Sequence, residues 1–347
     1  MMPGISLTEA AVPVLDVQGL TIAFRRGGAH LHVVRDVTLA VNHGEILGLV
    51  GESGSGKSIF ARSILGTLPS QARVLEGSIA FGGQDLLGMP PKQLQRLRGD
   101  RMALVPQEPM TSLNPSLRVG RQLVEVLEVH RPEMQSAARI ERAIEMLDLV
   151  GIKFPRERLA QYPHQLSGGL RQRVAIAMAL ICGRVELLIA DEPTTALDVT
   201  IQAQILDLFV RLQKAQKMSV LLITHDLGVI AQTVQRVAVM YAGEIVEMAG
   251  VQDLFAGPLH PYTRGLLDSL PRVGGAAHKS HLPSIAGAVP SPTATRQGCG
   301  FAERCAFRVA RCSSELPVLA PAGTGRFVRC SRWQELADRF LRPEVTA

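Results

Sequence analysis

The sequence predicts an α/β fold organised around a phosphate-binding loop, followed by a small cysteine-containing C-terminal region. Three observations predict it. A short apolar run leads into the glycine-rich stretch GESGSGKS and then into a helical pattern at residues 44–65; a second apolar run, LLIA, ends in the adjacent carboxylates Asp191 and Glu192; and four of five cysteines fall between residues 299 and 330. An apolar strand feeding a glycine turn and a helix is a βα unit, which belongs to a parallel sheet with flanking helices.

At 347 residues and 37.4 kDa the chain is long enough for one large domain plus an appendage, or for two domains. A hydrophobic content of 46% supports a substantial core, whereas 4% aromatics argues against a surface built to stack nucleic-acid bases. The longest strongly apolar run, VAIAMALIC at residues 174–182, is about half of the ~20 residues that span a bilayer. The opening MMPGISLTEA lacks a basic segment followed by an apolar one. A cytosolic location is therefore expected, where clustered thiols serve as metal ligands or catalytic groups rather than disulfides. The net charge of +6 suits either nucleic acid or an anionic membrane face.

Along the chain, the first element is the strand within GEILGLV, and the loop after it matches GxxxxGK[ST]. In Gly51, Glu52, Ser53, Gly54, Ser55 and Gly56 the glycines let backbone N–H groups close around phosphates. Lys57 reaches the terminal phosphates and Ser58 offers a hydroxyl to Mg2+, at a helix N-terminus whose dipole favours anions. This loop alone leaves a kinase, a GTPase and a motor open. Residues 93–163 are helical in pattern; in IERAIEMLDLVGI the stripe Ile140, Ile144, Leu147 and Val150 recurs near 3.6 spacing, with Gly151 at the expected stop. Ser167, Gly168 and Gly169 precede a helical run and form a second N-terminus with free N–H groups. LLIA reads as a buried strand whose end delivers Asp191 and Glu192 in different directions, one toward a metal shell and one toward an attacking water.

These motifs in this order, with Gln107 in VPQEPMTSLNP, LSGGLRQ, LLIADEP, Ala196-Leu197-Asp198 and His225 in LLITHD, resemble the ATPase subunit of ATP-binding cassette (ABC) transporters over residues 14–257. The resemblance implies a cassette with a mixed sheet and a helical signature subdomain at about 93–163. It implies that Asp191 orders the Mg2+ shell with Ser58 and Gln107, that Glu192 activates the hydrolytic water, and that His225 contacts the γ-phosphate. Ser167, Gly168 and Gly169 would touch ATP held by the other subunit of a dimer, so a lone chain is expected to be a poor ATPase. The signature reads LSGGL, with Leu170 where an amide is common, and the position that usually stacks an aromatic on adenine falls at Phe24.

After residue 257 the cassette pattern ends, and the expected second region runs from 258 to 347. PLHPYTRGLLDSLPRV reads as a loop entering a short helix, a Gly/Ala/His/Ser-rich stretch follows to His281, and LPSIAGAVPSP reads as a linker laid across a surface. The HPYT and LPSIAGAVP phrases and the trailing cysteines resemble the C-terminal region of oligopeptide, dipeptide and nickel importer ATPases. That resemblance implies two membrane permease subunits, a second identical or homologous ATPase, an extracytoplasmic solute-binding protein, and a peripheral place on the cytoplasmic face of the inner membrane. The competing expectation is a soluble cassette ATPase acting on nucleic acid or ribosomes through its basic tail.

Cys182 reads as an ordinary buried residue. Cys299, Cys305, Cys312 and Cys330 are spaced C-x5-C-x6-C-x17-C, which matches neither structural zinc knuckles nor the bacterial ferredoxin run. Arg304, Arg308, Arg311, Arg326, Arg329 and Arg332 are expected either to offset a thiolate-ligated centre or to form a basic surface. By resemblance the four cysteines hold a [4Fe–4S] cluster, with zinc and free thiols as alternatives. The expected role is a structural clasp that braces the C-terminal region against a partner ATPase.

Overall fold

The computed structural model describes residues 12–107, 112–195, 197–270, 284–293 and 295–341. The predicted stretch from 271 to 281 and part of the glutamine segment lie outside them. The strands are β1 (Leu15–Arg26), β2 (Ala29–Val41), β3 (Ile46–Val50), β4 (Ala72–Phe81), β5 (Gln84–Asp85), β6 (Met102–Val105), β7 (Leu187–Asp191), β8 (Ser219–Thr224), β9 (Arg236–Tyr241), β10 (Glu244–Gly250), β11 (Ala320–Pro321) and β12 (Phe327–Val328). The helices are α1 (Lys57–Ile64), α2 (Pro91–Leu97), α3 (Val119–His130), α4 (Ser136–Leu149), α5 (Pro155–Leu159), α6 (Gly168–Leu180), α7 (Val199–Gln216), α8 (Leu227–Thr233), α9 (Val251–Ala256), α10 (Pro261–Asp268), α11 (Arg311–Ser314) and α12 (Trp333–Phe340).

Two sheets divide the strands. The smaller is antiparallel, in the order β2-β1-β4-β5, and the larger runs β11-β12-β10-β9-β3-β8-β7-β6. In the larger sheet β6, β7, β8, β3 and β9 are parallel, with Ile46 opposite Val220 and Leu187 opposite Ser219, while β10, β12 and β11 add an antiparallel edge. The parallel strands are buried on both faces, so alternate residues enter different cores. Ile46, Val50, Leu188, Ala190, Val220 and Leu222 face the helices α3, α4, α6 and α7. Leu47, Leu49, Leu187, Ile189, Leu221 and Ile223 face the smaller sheet and α1. This is why ILGLV and LLIA read as continuous apolar runs rather than alternating ones.

Two expectations about the helical segment need correction. Residues 102–105, inside the stretch expected to be helical, form the parallel edge strand β6, paired Met102 to Leu187. Four apolar residues buried in a sheet cannot be told from a helix turn by periodicity. In α4 the inward face is Ala143, Met146 and Leu147, continued by Val150, while Ile140 is 43% exposed. The helix is turned relative to the predicted stripe, so that Ala143 and Met146 take inward places and Ile140 faces out. The stop at Gly151 is in place, with φ of 78°.

The sequence pattern changes at residue 257, but the packing does not. Strand β12 pairs with β10 in the cassette sheet, Val328 opposite Glu247. Arg329, buried, donates to the carbonyls of Ile245 and Asp36 and to the Asp36 carboxylate. Phe301 sits in the main core against Tyr241 and Tyr262, at centroid distances of 5.2 and 5.4 Å. Glu247, almost fully buried, accepts the backbone N–H groups of Leu259 and His260. Burial raises its pKa, and these hydrogen bonds oppose that shift.

Because Phe301 joins the tail to the cassette core, Phe301→Ala is expected to lower the stability of the whole chain by about 3 kcal/mol. Urea unfolding followed by two probes should show one shifted transition. An unshifted cassette transition with an early tail transition would mean that the two regions unfold independently.

Candidate functional site

The carboxyl ends of the parallel strands deliver the predicted residues to one edge. Strand β3 runs into the glycine loop and α1, whose N-cap Gly56 has φ of 105°. Glycine is required at two points by space. A Cβ on Gly51 would lie 2.1 Å from the Met240 carbonyl oxygen, and one on Gly56 would lie 2.6 Å from that of Val33. The loop is also tied down by the Gly243 N–H, which donates to the Ser55 carbonyl at 2.9 Å. Lys57 is buried and its ammonium donates to the carbonyls of Gly51 (2.7 Å) and Glu52 (3.0 Å) and to Ser55 Oγ (3.4 Å). Burial lowers its pKa, while the nearby carboxylates Glu192, Asp191 and Glu52 oppose that shift.

Strand β7 ends at Asp191, whose Oδ1 accepts from Ser58 Oγ at 3.3 Å. Burial holds its pKa above the usual carboxylate range, against the Ser58 hydrogen bond. The next residue, Glu192, takes a left-handed conformation with φ of 47°, an uncommon one for a side chain of this size. Its N–H donates to the Ile223 carbonyl at 2.8 Å. Its Oε2 receives Gln107 Nε2 at 3.1 Å and Thr195 Oγ1 at 3.1 Å, and lies 3.1 Å from His225 Nδ1. Six predicted residues, Lys57, Ser58, Gln107, Asp191, Glu192 and His225, thus meet at one place. Thr195 was not singled out by the sequence, although it lies inside the DEPTT run.

Other predicted residues lie elsewhere on the chain. Ser167 caps α6, with Oγ accepting the Leu170 N–H at 3.4 Å; a Cβ on Gly169 would meet Ile201, and one on Gly168 would meet Leu197. Ser53 and Gly54 form the exposed crest of the loop. Phe24 is half-buried on β1, opposite Leu31 and Ala72, and packs on the core of the smaller sheet. Glu52 turns both its polar groups away from the crest. Its N–H donates to the Tyr262 hydroxyl at 2.9 Å, and its carboxylate takes Arg304 at 2.8 and 3.1 Å.

The four late cysteines line one cavity, together with His260, Phe301, Phe307 and Arg332. Backbone N–H groups two residues downstream, at Phe301, Phe307 and Arg332, oppose the rise in the thiol pKa values of Cys299, Cys305 and Cys330. The Cys299 N–H donates to the Cys312 carbonyl at 2.8 Å, and a Cβ on Gly298 would collide with the same backbone. Burial, with neighbouring thiols adding to it, pushes Cys299 and Cys330 up to about 11. His260 is fully buried and accepts the Tyr262 N–H on Nδ1, and burial pushes its pKa down to about 3, so the ring is neutral.

Most of the clustered arginines have other partners: Arg304 serves Glu52, Arg329 serves Asp36, and Arg326 bonds the Gly257 carbonyl and lies 3.6 Å from Glu247. Arg311 and Arg332 both reach Glu335, and of the six it is Arg332 whose charge acts on the thiols of Cys305 and Cys330. Among the described residues no three His, Cys, Asp or Glu side chains come together closely enough for a single metal ion. Cys182 is a buried core residue, as expected.

The fold and this carboxylate-centred edge define an ABC-type ATPase. Residues 34–195 match the family model described as ABC transporter, and residues 246–312 match that of the oligopeptide/dipeptide transporter C-terminal region. The chain is 49% identical to a putative peptide import ATP-binding protein of Brucella melitensis, covering 94% of this chain and 98% of that one. It is 48% identical to the dipeptide transport ATP-binding protein DppD of Bacillus subtilis, covering 94% and 97%. Among solved structures, the dimeric ATP-binding cassette MJ0796 bound to ADP and Pi is similar at 27% identity and a TM-score of 0.61, over 68% of this chain and 98% of that one. The chain belongs to the ABC transporter ATP-binding proteins, and within them to the oligopeptide/dipeptide transporter family. The alternative of a soluble ATPase acting on nucleic acid finds no support in these likenesses.

The raised thiol pKa values have a consequence for stability. A thiol that titrates near 8.5 when unfolded and near 11 when folded holds its proton more tightly in the folded chain. Its contribution is complete below about pH 8.5 and is lost as pH rises through about 11. The urea midpoint of metal-free protein is therefore expected to fall between about pH 9 and 11, and less so in Cys299→Ser/Cys330→Ser; parallel pH profiles would contradict the assignment.

Proposed function

We propose that this chain energises a membrane importer of peptides or related small solutes, working as a dimer with an identical or homologous ATPase and docking on two permease subunits supplied by an extracytoplasmic solute-binding protein. The chain would be peripheral, on the cytoplasmic face of the inner membrane; among the described residues no helix is long and apolar enough to cross a membrane. The observation that carries the catalytic reading is the Glu192 carboxylate, gripped by Gln107, Thr195 and His225 one residue beyond Asp191. We assign residues 1–257 to the nucleotide-binding unit and 258–347 to the importer-specific region.

In this reading the N–H groups of Gly51 to Gly56 and the Lys57 ammonium bind the phosphates, and Phe24 stacks on the adenine. Ser58, Asp191 and Gln107 offer oxygen donors, the set that suits Mg2+, which when bound neutralises phosphate charge. Glu192 orients the attacking water and accepts its proton at the carboxylate, while His225 steadies the γ-phosphate. Ser167, Gly168 and Gly169 complete the site of the other subunit. Glu192→Gln is expected to lower ATP turnover about a thousandfold while MgATP binding persists and ATP-dependent dimers accumulate. Retained turnover would remove Glu192 from this role.

We further propose that the four cysteines lining one cavity hold a sulfur-ligated centre. Four thiols line the cavity, nearby backbone N–H groups favour the thiolate form of three of them, and one guanidinium lies close. A [4Fe–4S] cluster has those requirements and would clasp a region too small for a core of its own. Cys305→Ser/Cys312→Ser is expected to remove at least about nine-tenths of the iron from anaerobically purified protein, with loss of charge-transfer absorbance. Undiminished iron in the variant would defeat the cluster reading.

A further inference from the structure

Arg304 lies far from the glycine loop in sequence, beside Cys305, yet its guanidinium forms a two-pronged pair with Glu52 at 2.8 and 3.1 Å. Its side chain is only 7% exposed, against 27% for Glu52. The guanidinium also bonds the carbonyls of Ile285 and Ala286 and the Tyr241 hydroxyl, and stands 5.7 Å from the Tyr241 ring centroid. Beneath it Tyr241, Tyr262 and Phe301 pack together, and the Tyr262 hydroxyl accepts the Glu52 N–H. Glu52 is therefore held by side chain and backbone from the C-terminal region, and its carbonyl accepts the Lys57 ammonium.

We propose that Arg304 is a positioning residue for ATP hydrolysis: through Glu52 it holds the glycine loop in its phosphate-binding shape and neutralises a carboxylate that would otherwise face the triphosphate. The turn that presents Arg304, Ala302–Arg304, is bounded by Cys299 and Cys305. The Ala302 N–H donates to the Cys299 carbonyl and the Cys305 N–H to that of Ala302. The same few residues thus face the cysteine cavity on one side and the ATP site on the other. A bidentate guanidinium–carboxylate pair fixes orientation as well as charge, which a lysine would do less well. The inference rests on the ATPase assignment but not on what the cavity holds.

The test is a double-mutant cycle on the full chain, with MgATP affinity by calorimetry, KM and kcat in the assembled transporter, and thermal stability beside them. Arg304→Met leaves the Glu52 carboxylate unpaired and is expected to weaken MgATP binding and raise KM about tenfold with kcat changed less than about twofold. Arg304→Lys should lose about threefold, and Glu52→Gln a similar amount. In Glu52→Gln/Arg304→Met the affinity should return to that of Glu52→Gln alone, even if the melting temperature stays low, because the repelling charge is gone. Additive losses in the double variant, or an unchanged KM in Arg304→Met, would overturn the proposal. A wild-type transporter without ATP turnover would instead strike at the ATPase assignment itself.

Discussion

Five parallel strands that end at one edge are the constraint on which the rest of this molecule depends. Each strand delivers a different group there: β3 the glycine loop, β6 Gln107, β7 Asp191 and Glu192, β8 His225, and β9 the hydroxyl of Tyr241. Parallel pairing forces the connections to cross over and the chemistry to gather at the carboxyl ends. The strands can do this only because both faces are covered, by helices on one side and the antiparallel sheet on the other. The two apolar cores are thus what permits a polar edge.

At that edge Glu52 is paired with Arg304, while Lys57 has no single partner carboxylate among the described residues. Among the described residues Lys57 bonds to the loop's own oxygens, and the carboxylates that stabilise its charge are Glu192, Asp191 and Glu52. With Glu52 paired to Arg304, Asp191 and Glu192 beside one ammonium favour the arrival of a cation, and the glycine loop favours the arrival of phosphate. The left-handed backbone at Glu192 costs on the order of 1–3 kcal/mol unless its surroundings hold it. The bond from its N–H to Ile223 and two donors on one carboxylate oxygen, with His225 Nδ1 3.1 Å away, supply that hold. A bound substrate would then find the carboxylate already aimed.

What the sequence made legible was local. GESGSGKS, LLIADE and LSGG each carry their geometry in consecutive residues, and the structure builds the loop, the strand end and the helix cap expected from them. What stayed hidden depends on distant partners. MALV reads as a strand only beside β7, and the buried face of α4 is Ala143, Met146 and Leu147 rather than the stripe that begins at Ile140. Arg304 and Tyr262 stood in plain view, one in an arginine cluster, the other in the HPYT phrase. No spacing rule connects either to Glu52, whose sequence separation from them exceeds 200 residues.

The C-terminal region brings these points together. Its sequence looks like an appendage, but it lends a strand to the sheet, an aromatic ring to the core and a guanidinium to the glycine loop. A tail attached only by a linker could report on nothing inside the cassette. A tail bonded to Glu52, and through its carbonyl to Lys57, shares an equilibrium with phosphate binding: whatever orders the cysteine-bearing turn favours the loop shape that binds ATP, and ATP in turn favours the ordered turn. Inside the chain that carries it, the same turn thus braces the glycine loop.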